Sequence, residues 1–342
     1  MRALQFTAWQ QEPELRDVDV PGPGPGEVLV KVASAGLCHS DLEIMDWPAG
    51  TMPWELPFTL GHETAGTVAA LSAGASGVAE GDPVLVFALW GCGSCRHCVT
   101  GAFNLCTTRP PERAGSGLGL DGGLAEYLLV PSARLLVPID GLDPAAAAPL
   151  SDAALTPYHA IRPNLPLRPG ASVVVIGAGG LGHIAVQLLR ALTPARVIAV
   201  DLRESARELA LEAGAHAALD ANGLDAAGVR EETGPDGAAL VLDFVGIDAT
   251  LQLAASVVEI DGHVTIVGLG GGSFPTASSE LPRQWSLSRI SYGTLPELRE
   301  VVDLARAGAI NIELERISLD DALDGYRRLR DSAVVGRAVA VL

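Results

Sequence analysis

A chain of 342 residues, 48% of them hydrophobic, is long enough to bury two apolar cores without help from disulfides. Its net charge of −18 creates a field that repels polyanions, which argues against nucleic acid and anionic membranes as partners. The opening MRALQFTAWQQEPEL lacks the continuous apolar segment of a secretory signal, and later apolar runs are too short to span a bilayer. Of the 5 cysteines, Cys38 stands apart while Cys92, Cys95, Cys98 and Cys106 crowd together. That distribution suits metal binding in a reducing cytoplasm better than a disulfide lattice.

In chain order, the first part is dense in glycine and proline and carries short β-like runs at 27–34, 66–71, 83–88 and 126–130. Pro21 to Gly26 reads as a turn or stiff connector, because proline fixes φ and glycine tolerates unusual angles. These signals predict an irregular, mostly β domain over 1–151. The pattern then changes. Short all-apolar strand candidates at 173–176, 196–200, 239–243 and 263–267 alternate with helical, alanine- and leucine-rich stretches. Buried strands separated by helices predict a doubly wound α/β domain over 152–284. After a linker at 270–273, the tail shows helical signals at 298–307 and 320–329 and a final strand at 338–341. The segment 285–342 is too short for a third domain, so it is expected to return and complete the first.

Gly177, Gly179, Gly180, Leu181 and Gly182 form GxGxxG directly after a strand candidate and before a helical stretch. In this setting the first glycine makes a tight turn, the second admits a pyrophosphate, and the third lets helix and strand pack closely. Asp201 ends the next strand, where a carboxylate accepts bonds from the adenosine ribose hydroxyls and repels a 2′-phosphate. NAD is therefore expected over NADP, with nearby Arg203 as the residue that complicates the choice.

The spacing Cys92-x2-Cys95-x2-Cys98-x7-Cys106 offers four thiolates from one short loop, the donor set of a closed structural zinc site. An iron–sulfur cluster would use the same donors. His97, inside the loop, is expected to face solvent. A second, dispersed set comprises Cys38, His62 and Asp152, one sulfur, one nitrogen and one oxygen. Three such ligands leave a fourth position open, as a catalytic zinc requires to polarise an alcohol oxygen. Spacing alone does not bring these three together, and Cys38 and His62 also read as ordinary buried residues.

GLCHSD at Gly36 to Asp41, GHE at Gly61 to Glu63, the four-cysteine loop, GAGGLG and Asp201 together resemble the zinc-containing medium-chain alcohol dehydrogenases. The likeness covers essentially the whole chain and is nearest to bacterial NAD-dependent secondary-alcohol dehydrogenases. It implies a GroES-like catalytic domain, a Rossmann-like cofactor domain, two zinc ions per chain and a homotetramer, with a homodimer as alternative. It also implies that Cys38, His62 and Asp152 hold the catalytic zinc, although many relatives have cysteine where this chain has Asp152. Glu63 would modulate ligand exchange, Asp41 would orient His62, and Ser40 would contact the alcohol oxygen. Thr156 and Arg337 would be cofactor contacts. Where related chains end a proton relay in histidine, this chain has Glu43, and His39 falls where many have an arginine. The terminal base stays open between them, with His39 tuning or sharing the route.

The expected reaction is reversible hydride transfer between an alcohol and NAD. Trp54, with Leu118 or Leu120 and Tyr292, is expected to line the substrate pocket and favour secondary alcohols and simple ketones. Threonine or polyol oxidation is the nearest rival. A zinc-free quinone or enoyl reductase would have no need of Cys38, His62 and Asp152, and a non-catalytic NAD-binding protein is a distant alternative.

Overall fold

The computed structural model describes residues 1–274 and 281–342, and divides into two compact units. The first comprises Met1–Leu155, Gly293–Arg306 and Ile312–Leu342; the second comprises Thr156–Tyr292 and Ala307–Asn311.

The first unit is built around the strand Val28–Gly36, whose residues are mostly buried. It pairs antiparallel with Glu63–Leu71 on one side and with the last strand, Arg337–Val341, on the other. Leu136–Pro138, Pro83–Val86 and Leu314–Ser318 extend the same sheet, and Tyr127–Val130 pairs with the other end of Val28–Gly36. This seven-stranded sheet thus takes two strands from the end of the chain. Helix Ala322–Arg330 connects them and buries Ala322 and Tyr326 against Leu37, Leu42 and Met45. Register places two chain segments together at the edge of this core. Gly36 lies opposite Glu63, so the end of one strand and the start of the next stand side by side.

The second unit carries a six-stranded, all-parallel sheet in the order Ala217–Asp220, Arg196–Asp201, Ser172–Ile176, Ala238–Asp243, Val258–Ile266, Ser286–Arg289. Numbered by appearance this is 3-2-1-4-5-6, the doubly wound order that places a ligand site at the carboxyl end of the first strand. Ser172–Ile176 lies between two neighbours and is buried throughout, which is why all of it after Ser172 is apolar. Local signals set the helix ends. The Asp225 carboxylate accepts a bond from Gly228 N at 2.9 Å and starts the helix Ala226–Thr233, which stops at Gly234 with φ 91°.

The outer strand Ser286–Arg289 falls beyond the linker at 270–273 and inside the segment 285–342 expected to return. It pairs with Val258–Ile266 instead, and this unit runs on to Tyr292. Its sequence Ser-Leu-Ser-Arg is mostly exposed, so no apolar alternation marks it. Residues 275–280, within the expected cofactor domain, are outside the described residues.

Candidate metal centres and cofactor loop

Cys38 follows the strand Val28–Gly36 and caps the helix His39–Asp46, while His62 immediately precedes the strand Glu63–Leu71. The antiparallel register makes them neighbours. Asp152 comes from the end of the 3-10 turn Ala148–Ser151 and is fixed beside them, because Ala153 N donates to Glu63 Oε1 at 3.0 Å. Asp152 Oδ2 lies 3.5 Å from Cys38 Sγ and 3.5 Å from His62 Nε2, and all three ligand atoms lie within 4.8 Å of one another. A tetrahedral zinc ion with the usual bond lengths has ligand–ligand edges of about 3.3–3.8 Å. The three residues fit such an ion and leave one position for another ligand.

Two buried braces hold this trio. Asp41 Oδ1 lies 3.1 Å from His62 Nδ1, which puts the ring proton on that side and leaves Nε2 as the metal-binding lone pair. The other oxygen of Asp41 accepts from Cys38 N at 3.1 Å and from the Tyr326 hydroxyl at 2.7 Å. Burial, then the Asp41 charge, holds the Tyr326 phenol well above its ordinary value, so it stays a donor. In the second brace Arg337, only 4% exposed, pairs with Glu63 Oε1 at 2.6 Å and approaches Cys38 Sγ at 3.9 Å. Burial works against the guanidinium charge, but the Glu63 and Cys38 charges outweigh it and keep Arg337 protonated. Gly36 is required here, since a Cβ would run into the Glu63 carboxylate.

Sequence reasoning placed Asp41 in this environment but missed Tyr326. No local pattern distinguishes it from a core tyrosine on an amphipathic helix.

The four-cysteine loop brings its sulfurs together in the same unit. Cys92 Sγ lies 4.0 Å from Cys98 Sγ, and Cys95 Sγ lies 3.9 Å from Cys106 Sγ. Edges of about 3.8 Å are what four thiolates around one zinc ion require. The backbone amides of Ser94 and Cys95 point at Cys92 Sγ, and that of Cys92 at Cys106 Sγ, so the peptide itself solvates sulfur charge. Hydrogen bonds, first from Thr108 and then from these amides, pull the Cys92 thiol down to about 5, whereas burial pushes Cys98 up to about 12. Sulfurs so close resist ionising together unless a cation shares the site, which is the behaviour of a metal-binding set. His97 is outside this ligand group and receives a bond from Arg96 Nε at 3.1 Å.

In the second unit the glycine loop joins Ser172–Ile176 to the helix Gly182–Leu192. Gly177 has φ 85°, which a side chain tolerates poorly, and a Cβ at Gly182 would strike the Gly177 carbonyl. Asp201 ends the adjacent strand. Its carboxylate accepts from Ala178 N at 2.8 Å and Arg203 N at 2.9 Å, and Arg203 Nε lies 3.4 Å away. The carboxylate therefore sits against the glycine loop with a guanidinium beside it.

Other expected site residues scatter. Ser40 is half-buried and His39 exposed in the first turn of helix His39–Asp46, where burial raises the Glu43 carboxyl. Trp54 is 8% exposed and packs among Trp9, Trp47 and Phe58, with its indole N–H on Pro111 O at 3.1 Å. Leu118 joins that cluster, whereas Leu120 lines a different cavity beside Trp90 and Arg109. Thr156 is buried in helix Leu155–Ile161, and Tyr292 closes the long segment of the second unit, so neither shares a unit with Trp54.

Two family models match the chain, an alcohol dehydrogenase GroES-like domain over residues 24–141 and a zinc-binding dehydrogenase over residues 180–307. A D-arabinose 1-dehydrogenase (NADP(+)) from Saccharolobus solfataricus is 33% identical, over 99% of this chain and 97% of that protein. Among solved structures, an alcohol dehydrogenase from Aeropyrum pernix is 34% identical with a TM-score of 0.92, each chain covered to 100%. The acetophenone reductase from Geotrichum candidum, solved with NAD, is also 34% identical, with a TM-score of 0.87 over 100% of this chain and 97% of that one. The first two come from archaea, so the likeness is not specific to bacterial proteins.

Proposed function

The chain belongs to the zinc-containing medium-chain dehydrogenase/reductase family and is an NAD-linked alcohol dehydrogenase, and we propose that its preferred substrates are secondary alcohols and the matching ketones. The observation that carries the activity is the convergence of Cys38, His62 and Asp152 with one ligand position to spare, in a chain that also holds a glycine loop braced by Asp201. When bound, zinc at that trio supplies a Lewis acid for the alcohol or carbonyl oxygen, and NAD supplies the hydride acceptor.

The protein's own part is to bind, orient and move a proton. Asp41 and Tyr326 fix the His62 ring, while Arg337, held by Glu63, sets a positive charge beside the Cys38 sulfur. Ser40 is the assigned proton contact for the substrate oxygen, with His39 and Glu43 as the groups that tune its route. Glu63 is assigned to ligand exchange, and Thr156 and Arg337 to the cofactor. We assign the catalytic role to the unit of Met1–Leu155, Gly293–Arg306 and Ile312–Leu342 and cofactor binding to the unit of Thr156–Tyr292 and Ala307–Asn311, which takes in Ser286–Arg289 from the segment 285–342 expected to return. Trp54 and Leu118 are assigned to the substrate wall, whereas Leu120, expected there, lines a separate cavity and Tyr292 belongs to the second unit. Support for the apolar preference comes from the aromatic surroundings of Trp54 and from the likeness to an acetophenone reductase.

We assign a homotetramer by family likeness and a cytoplasmic location by cysteine usage; no helix among the described residues is long and apolar enough to cross a membrane. A second reading, oxidation of sugars or polyols, is favoured by the likeness to a D-arabinose dehydrogenase. NADH formation decides between them. The kcat/KM for 2-propanol, 2-octanol and 1-phenylethanol should exceed that for sorbitol, D-arabinose and threonine by about tenfold or more, and a Trp54→Ala variant should change that ranking more than NAD affinity. Faster turnover of a sugar or polyol than of every simple secondary alcohol would overturn the substrate proposal.

A further inference from the structure

The first unit contains a cavity of about 510 Å3, a volume that suits a small organic ligand. Neither Cys38, His62 nor Asp152 lines it, so it is separate from the catalytic metal centre. Its wall includes Val18, Leu128 and Leu129 on the apolar side and the aromatic rings of Trp90 and Tyr127. Arg109 and Arg113 add two guanidinium groups.

Arg109 is unusual among these. Its NH1 is buried and makes no hydrogen bond, and among the described residues neither Arg109 nor Arg113 forms an ion pair. A buried donor on a cation is costly to leave unmet, so the site is incomplete as it stands. The acidic residues on the wall do not complete it. Asp121 accepts from Thr59 N at 2.7 Å, Glu27 accepts from Gly24 N at 2.8 Å, and Asp19 is exposed. One oxygen of Asp121 and one of Glu27 are thus engaged by backbone amides, while Arg109 NH1 has no protein acceptor.

We propose that this cavity binds a small organic anion, a carboxylate on a flat apolar body, with the charge at Arg109 and the body against Trp90 and Tyr127. Arg113, exposed at the rim, adds a second positive charge to the same end. A guanidinium fork matches carboxylate geometry, and an aromatic wall offers a flat ligand stacking area. The site is independent of the alcohol-oxidising centre and of the substrate assigned to it.

The test is calorimetric titration of the zinc-loaded protein with benzoate, alone and with saturating 2-propanol. Saturable binding at one site per chain is expected, unchanged by the alcohol. Arg109→Gln should weaken it at least about tenfold, the scale of one lost charge-assisted hydrogen bond, without altering zinc content or alcohol turnover. Leu129→Trp, which fills the cavity and leaves the charges in place, should also abolish binding. Absence of saturable binding, displacement by 2-propanol, or equal affinity in both variants would overturn the proposal.

Discussion

At Asp201 one carboxylate serves two neighbours at once, and that sets what its removal should do. It accepts from Ala178 N in the glycine loop and from Arg203 N, with the Arg203 guanidinium drawn alongside. Asp201→Ala removes the ribose acceptor, loosens the loop and frees Arg203 to meet a 2′-phosphate. NAD kcat/KM should fall about tenfold or more, the scale of a hydrogen bond to a charged group, while the NADP/NAD ratio rises. Equal use of both cofactors by the unaltered enzyme would remove the basis of this expectation. Tyr326 makes a different case, because nothing near it in sequence announces its role. It meets Asp41 only because the last strands return to the first sheet. Tyr326→Phe should lower zinc affinity at the Cys38 centre about tenfold, as loss of such outer hydrogen bonds does, with NAD binding unchanged. Zinc competition with a chelator reads this directly, and unchanged zinc affinity would assign Tyr326 to packing alone. The metal ligands themselves were legible as residue types, but their convergence was not, since only the Gly36–Glu63 register brings Cys38 beside His62.

Elements were legible in proportion to how fully they are buried. The strand at 173–176 and its parallel partners could be read from apolar runs, because residues covered on both faces have little choice of type. Glu14–Asp17 and Ser286–Arg289 were not, being exposed edges held by backbone pairing rather than side-chain burial. The four-cysteine loop is the opposite extreme, legible from ligand spacing although it has little regular structure beyond two 3-10 turns, Cys98–Thr100 and Phe103–Leu105. With so little apolar area to bury, its order must come from the metal. Cys98 is the buried member, and its thiol is pushed up to about 12 by burial. Cys98→Ser should reduce bound zinc from about two to about one per chain and lower the thermal midpoint, before any specific effect on hydride transfer. Full stability without loop metal, or an iron–sulfur absorption spectrum in the purified protein, would reject a structural zinc here.

For the molecule as a whole, the return of the chain end is clasped by charge. Arg2 pairs with Asp320 at 2.8 Å, Glu12 with Arg327 at 2.7 Å and Asp46 with Arg330 at 2.6 Å, and Arg316 pairs with Asp143. Each joins the first segment of the unit to its last, across exposed surface where a lone pair contributes little. Their effect is collective and depends on pH. Hydrogen bonds from Arg327 and Arg316 hold the Glu12 and Asp143 carboxyls below their ordinary values in the folded protein. A carboxyl depressed on folding contributes stability that is present above its unfolded value, near about 4, and is lost as pH falls through the lower folded value. The net charge of −18 acts in the other direction, because mild acid relieves self-repulsion first. The thermal midpoint should therefore hold or rise from pH 7 to about 5 and then fall below about 4. Hydrogen exchange should show strands Leu314–Ser318 and Arg337–Val341 losing protection ahead of Ser172–Ile176, which is buried between two parallel neighbours. Zinc content measured at each pH separates this from simple metal loss. Uniform loss of protection across both sheets, with zinc retained, would show that the ion pairs do not govern how the chain end is held.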